Sequence, residues 1–248
     1  MENKEHTALV LRRLTPFLLL ALWMAVLWIG LDWSQRPPAA ALPRERDVPY
    51  VDYFARYLLP LLPVTSGFDY PVRPPDAKGA LIALGFAEEN HLGEDWNTAI
   101  GDKDLGEPVY SIADGWVTLA VDFEGMWGKV VMIAYRLPEK DSSQLSVVEA
   151  MYAHLDTMTV KAGDFVKRGQ PIGTMGNVGG VYKAHLHFEL RDQIGRGLGG
   201  GFSERQEGWI SPTDFISTHR PANTSGSSLN AKPAKVPAAQ RAKWGFDG

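Results

Sequence analysis

Four of the six histidines fall in the middle of this 248-residue chain, at His91, His154, His185 and His187. His185-Leu186-His187 lies in an apolar run that ends Phe188-Glu189-Leu190. On a strand, the two-residue period puts both imidazoles on one face with Glu189 below them. It turns Leu186, Phe188 and Leu190 towards the core. His91-Leu92-Gly93-Glu94-Asp95 sets a carboxylate four residues after another histidine. A helix would align that pair, whereas Gly93 and the following Trp96-Asn97-Thr98 favour an extended or looped segment; either geometry can chelate. The chain has no cysteine, so a transition metal must be held by His, Asp or Glu. Two nitrogens and one carboxylate leave the fourth position of a tetrahedral zinc open to water, as catalytic zinc sites require. Such a metal lowers the pKa of its water from about 15.7 to about 7 and polarises a carbonyl oxygen. A histidine just outside the ligand set can do the acid–base work. Singly the patterns are weak: His-x-His in a strand is more often structural, and a lone His-x-x-x-Asp carries almost no information.

The segments that must position these residues read as β. Candidate strands are Ala80–Leu84, Pro108–Ile112, Trp116–Asp122, Lys129–Arg136, Ser146–His154 and Ala184–Arg191, most of them rich in Val, Ile, Tyr and Phe and separated by Gly, Asp and Pro. No long amphipathic helix separates them, which favours an antiparallel sheet or sandwich over βαβ units. The polar stretch Pro138–Ser146 reads as a hairpin tip. With 45% hydrophobic and 22% charged residues, the composition excludes a collagenous, coiled-coil or wholly disordered chain. A net charge of −4 argues against nucleic acid as the main partner.

The ends differ from the middle. Phe17–Leu31 is apolar throughout, and no residue from Leu14 to Leu31 is charged. Eighteen helical residues rise about 27 Å, close to the hydrocarbon thickness of a bilayer. The run is long for a signal peptide, and the small-residue site Ala39-Ala40-Ala41 lies ten residues beyond it. The sequence therefore reads as an uncleaved transmembrane signal anchor; cleavage after the Ala triplet would instead give a secreted protein. Arg12 and Arg13 at the membrane edge lean towards a cytoplasmic N-terminus. Residues 36–66 read as a Pro/Ala linker with a short helix over Pro49–Pro63, and 67–219 as the domain. Residues 220–248 read as a flexible tail, basic through Arg220, Lys232, Lys235, Arg241 and Lys243.

Taken in order, His91-x-Gly-x-Asp95, Tyr152-Ala153-His154-Leu155 and His185-Leu186-His187 resemble the lysostaphin/LytM-type zinc metallopeptidases, enzymes that cut peptide bonds in bacterial peptidoglycan. The resemblance spans residues 67–192. It includes the connecting runs Gly106-x-Pro108-Val109-Tyr110-Ser111-Ile112-Ala113-Asp114-Gly115 and Val160-x-x-Gly163-Asp164-x-Val166-x-x-Gly169-Gln170-x-Ile172-Gly173. It implies one zinc ion per chain on His91, Asp95 and His187, with His154 and His185 catalytic. It also implies a mainly β fold, an antiparallel β-sheet sandwich with a groove over the zinc, here preceded by one transmembrane helix. The implied substrate is a peptidoglycan peptide: a glycine bridge, a D-Ala–diaminopimelate cross-link or a stem-peptide bond. The implied location is the bacterial inner membrane, single-pass, with the domain in the periplasm or outside. Gly176-Asn177-Val178-Gly179 departs from the family in lacking Thr before the last Gly, which touches a loop and not a ligand. Two other classes compete. A membrane-fusion adaptor with a lipoyl-like domain shares the turn punctuation of Val160–Gly173 but leaves four histidines unexplained. A non-catalytic peptidoglycan-binding regulator of another hydrolase would resemble members that have lost ligands, whereas all five polar positions are present here.

Overall fold

The computed structural model describes residues 59–138, 146–222 and 232–244. The apolar run Phe17–Leu31 and most of the expected helix over Pro49–Pro63 lie outside them; Leu59–Leu61 forms a single 3-10 turn. Among the described residues no helix is long and apolar enough to cross a membrane.

Among the described residues eleven strands make one hydrogen-bonded sheet. They are β1 (Leu81–Leu84), β2 (Glu94–Asn97), β3 (Pro108–Tyr110), β4 (Gly115–Asp122), β5 (Lys129–Arg136) and β6 (Val147–Met158). These are followed by β7 (Phe165–Val166), β8 (Pro171–Met175), β9 (Leu186–Arg191), β10 (Trp209–Ile210) and β11 (Ala234–Lys235). The main path runs β11-β1-β2-β9-β6-β5-β4-β7, with β10 on β9, and β3 joined through β8 to β6. The structure corrects the expected antiparallel sandwich in two ways. The sheet is mixed, because β11 runs parallel to β1. It is also continuous, because the twelve-residue β6 changes partner: Glu149–Ala153 pair with β9, and Leu155–Met158 pair with β8. One long strand thus belongs to both halves of what the sequence suggested as separate layers.

The core follows the strand period. Leu186, Phe188 and Leu190 of β9 pack with Tyr152 of β6, Ile133 and Tyr135 of β5, and Trp96 of β2. Each large apolar side chain so buried contributes roughly 1.5–3 kcal/mol. Three hydroxyls inside are linked, with Tyr135 Oη 2.8 Å from Tyr152 Oη and 3.0 Å from Ser111 Oγ. Trp96, although next to Asp95 in sequence, is a core residue lying against Tyr70. A short helix, α1 (Pro212–Thr218), starts on a proline and buries Phe215 and Ile216. Its Thr213 donates from both N and Oγ1 to the buried Glu94 carboxylate. β5 and β6 pair up to Leu137 N and Ser146 O, 2.9 Å apart, and residues 139–145 of the expected hairpin tip lie outside the described residues.

The expectation of a flexible tail does not hold for Lys232–Trp244. β11 adds to the free edge of β1, and the 3-10 helix Ala238–Trp244 follows it. Trp244 and Val236 bury themselves against Ala83. Few large apolar residues suffice here because an existing strand edge supplies the backbone partners.

Candidate metal centre

The antiparallel register of β2 and β9 sets Asp95 directly opposite His187. Alternation sends their neighbours Trp96, Leu186 and Phe188 to the core and leaves the carboxylate and the imidazole on the other face. Gly93 makes this approach possible. A Cβ there would lie 2.7 Å from Phe188 O, 2.9 Å from Glu189 Cγ and 3.1 Å from His187 Cε1. The glycine of His-x-Gly-x-Asp is therefore a spacing requirement of the site.

His91 arrives differently. It ends the 3-10 turn Glu88–Asn90, in which Ala87, Glu89 and Asn90 all have left-handed backbones at φ 65, 53 and 65. Left-handed conformations in non-glycine residues cost on the order of 1–3 kcal/mol each. The Gly201–Ser203 segment crosses this turn: Leu92 N donates to Gly201 O, Ser203 N donates to Asn90 O, and the Phe202 ring lies 5.0 Å from that of His91.

Three donor atoms converge from these elements. His91 Nε2 is 3.0 Å from His187 Nδ1 and 3.4 Å from Asp95 Oδ1, and His187 Nδ1 is 3.0 Å from Asp95 Oδ1. Bonds of about 2.0–2.1 Å to a tetrahedral zinc imply donor separations of about 3.3 Å, so the set has the right size. All three residues are buried. Burial opposes charge on Asp95, yet the imidazoles of His91, His185 and His187 hold its carboxyl well below the usual range. Burial also opposes charge on His187, but its hydrogen bonds to Asp95 and Glu189 and the charges of both carboxylates raise it to about 9. Burial pushes His91, His154 and His185 the other way, towards the neutral imidazole that a metal ligand or a general base needs.

His185 and His154 complete the site. Just ahead of β9, His185 shares its face with His187, and its Nε2 is 3.7 Å from Asp95 Oδ1. Its Nδ1 lies 2.7 Å from Lys183 O. The loop carrying Lys183 is tied to Asp102, which accepts from Ala184 N and Lys183 Nζ. Below it, buried Asp104 accepts from Asn97 Nδ2 and Thr98 Oγ1. The stretch around Asp102 is thus an anchor for the His185 segment.

His154 reaches the site through an irregularity. With Tyr152 in the core, simple alternation would point His154 into the core as well. Instead, three steps on β6 (Tyr152 to Leu155) face two on β5 (Val131 to Lys129), which is a β-bulge. Within it His154 has φ 61. The extra residue returns Leu155 to the core and brings the His154 ring 4.9 Å from that of His185 and 5.6 Å from that of His187. His154 Nδ1 is 3.2 Å from Trp127 O, and the Trp127 ring stacks on it.

Sequence reasoning left Glu189 without a role and did not single out Arg191 or Trp209. Glu189 Oε1 lies 3.0 Å from His187 Nε2, which leaves Nδ1 as the nitrogen facing the other donors. Its Oε2 accepts from Arg191 Nε and from Trp209 Nε1. Arg191 is fully buried and also donates to the carbonyls of Arg196 and Leu198. The glycine-rich stretch 195–201 is therefore tied to the support of His187. Trp127 Nε1 bonds its Gly199 carbonyl. The available signal was the same period of two, since Glu189 and Arg191 continue the face of His185 and His187.

Fold and donor set together make a candidate metal centre on a β-sheet, with two histidines beside it. Its relatives are peptidases and their regulators. The model of peptidase family M23 matches residues 89–197. Lipoprotein NlpD of Yersinia enterocolitica is 36% identical over 86 residues, covering 35% of this chain and 78% of that relative. The chain belongs to peptidase family M23. Peptidoglycan DD-endopeptidase ShyB of Vibrio cholerae is 35% identical over 127 residues, 51% of this chain and 24% of that protein. Murein hydrolase activator NlpD of Escherichia coli is 36% identical over 119 residues, 48% of this chain and 27% of that protein. The chain spans about a quarter of the length of these last two.

Proposed function

We propose that this protein is a zinc-dependent endopeptidase that hydrolyses peptide cross-links or stem peptides of bacterial peptidoglycan. The observation that carries this reading is the convergence of His91 Nε2, Asp95 Oδ1 and His187 Nδ1 within 3.0–3.4 Å of one another, with His154 and His185 alongside. These three residues would hold one zinc ion, which supplies a water of lowered pKa and polarises the scissile carbonyl.

The chain's own groups do the rest. Nδ1–H of His185 donates to Lys183 O, so its Nε2, on the Asp95 side, is the basic atom. Nδ1–H of His154 donates to Trp127 O, which leaves Nε2 of that ring for proton transfer as well. One Nε2 takes the proton from the attacking water; the leaving amine then receives a proton from a ring protonated at Nε2, either that same ring after the transfer or the second one if it enters the reaction as imidazolium. Their fixed backbone acceptors hold both rings in one tautomer before substrate arrives.

His187→Ala is expected to lose both zinc and activity. His154→Ala is expected to keep near-stoichiometric zinc and lose about 10²–10⁴ in rate. A His154→Ala protein that digests peptidoglycan at the wild-type rate contradicts the assignment.

Similarity to the NlpD proteins supports a second reading, in which the domain binds peptidoglycan and activates another hydrolase. Digestion of intact sacculi by the purified zinc-loaded protein separates the two. In either reading Phe17–Leu31 tethers the domain to the bacterial inner membrane, so the protein stays with membranes through carbonate washing. Recovery in the soluble fraction with a new N-terminus near Leu42 contradicts the tether.

A further inference from the structure

We propose that the C-terminal segment Lys232–Trp244 is a strap that positions the metal ligand His91, with Arg241 as its central positioning residue. The proposal rests on the reading of His91 as a zinc ligand. The turn that delivers His91 has three left-handed non-glycine residues in the four positions before it. Its own hydrogen bonds, Ala87 N to His91 O and His91 N to Glu88 O, close the turn but do not fix it to the sheet. Such a strained conformation persists where surrounding structure holds it.

On one side Gly201–Ser203 holds the turn, through the hydrogen bonds to Leu92 and Asn90. The opposite side is held by the strap. Arg241 reaches both acidic residues of the turn, with NH1 donating to Glu89 Oε1 at 2.8 Å and NH2 donating to Glu88 Oε2. Lys235 Nζ bonds Glu88 Oε1 at 3.0 Å, and Glu88 Oε2 in turn accepts from Gly85 N. The arginine fork thus spans the two positions immediately before Asn90-His91. Its side chain is only 13% exposed, so the charges are partly shielded from solvent.

The strap itself is fixed independently of these pairs. β11 is in register with β1 through Leu81↔Ala234 and Ile82↔Lys235, Val236 N donates to Ile82 O, and Trp244 packs on Ala83 and Val236. β1 also pairs with β2, where Leu84 lies opposite Asp95. The strap therefore grips the His91 turn from the edge of the sheet, with β1 between it and the strand that carries the second ligand. Lys235 and Arg241 thereby act locally, setting where one ligand sits relative to the other two.

The test is zinc affinity of the full chain, measured by competition with a chromogenic chelator, together with the melting temperature of the metal-free protein. Arg241→Ala is expected to weaken zinc binding about tenfold, the scale of losing a group that orients a ligand. The metal-free melting temperature should stay close to wild type, because β11 and Trp244 still dock. Arg241→Lys keeps the charge but not the fork and should recover part of the loss. Glu89→Gln removes only the more exposed arm, so about a threefold loss is expected; it carries the test if Arg241→Ala does not fold. Exposed Lys161→Ala serves as the neutral control. Wild-type affinity in both Arg241→Ala and Glu89→Gln overturns the strap. A wild-type chain that binds no zinc overturns the ligand reading, and the strap's role with it.

Discussion

Two ligands of the candidate centre sit on paired strands and one sits on a strained turn. Asp95 and His187 face each other across the β2–β9 ladder, so backbone register alone sets their relation. His91 stands outside the ladder and depends on side-chain and loop contacts from Gly201–Ser203 and from the tail. A site built this way has a rigid half and an adjustable half. Perturbing the first should damage the fold along with the metal, whereas perturbing the second should damage the metal alone.

The largest effect is expected on the sheet side. Arg191→Ala leaves Glu189 as a buried charge without its guanidinium partner, at a cost of about 3–5 kcal/mol of stability. Chemical denaturation measures it; a loss below about 1 kcal/mol would show that the buried pair does not brace the rigid half. Gly93→Ala pushes a methyl into Phe188 O and the Glu189 and His187 side chains, for an expected loss of roughly 1–3 kcal/mol, together with loss of zinc. Unchanged metal content in a folded Gly93→Ala protein would mean that β2 and β9 tolerate wider spacing than the site needs. Glu189→Gln keeps the shape but weakens the acceptor for His187 Nε2, and zinc affinity should fall about 10–100-fold. Isothermal titration of the metal-free protein gives that number. The smallest effect is the roughly tenfold loss expected of Arg241→Ala on the turn side, without a matching loss of stability. Equal stability losses for Arg191→Ala and Arg241→Ala would erase the distinction between the halves.

The same contrast explains what could be read from the sequence. The β9 face was legible because period-two alternation assigns His185, His187 and Glu189 together and sends Leu186, Phe188 and Leu190 inward. Lys129–Arg136 matched its strand end to end for the same reason. His154 was found only through the Tyr-Ala-His motif. Alternation predicts the wrong face for it, and the bulge that corrects this depends on pairing with β5. Asp95 lies on a four-residue strand whose existence depends on β1 and β9, so the local sequence left its geometry open. Strap and Arg191 were missed because their partners are distant in the chain, and polar composition around Arg241 is what a disordered tail also has. The sandwich expectation failed at β6, where one strand serves two sets of neighbours.

The proposed activity is hydrolysis of peptidoglycan peptide bonds by the zinc-loaded domain. The most direct measurement is mass spectrometry of material released from intact sacculi by the zinc-loaded protein, beside its chelator-treated form and His154→Ala. Soluble muropeptides with newly formed peptide ends are expected from the zinc-loaded wild type, and none from the other two. Release that persists after zinc removal, or no release from fully zinc-loaded wild type, would contradict it.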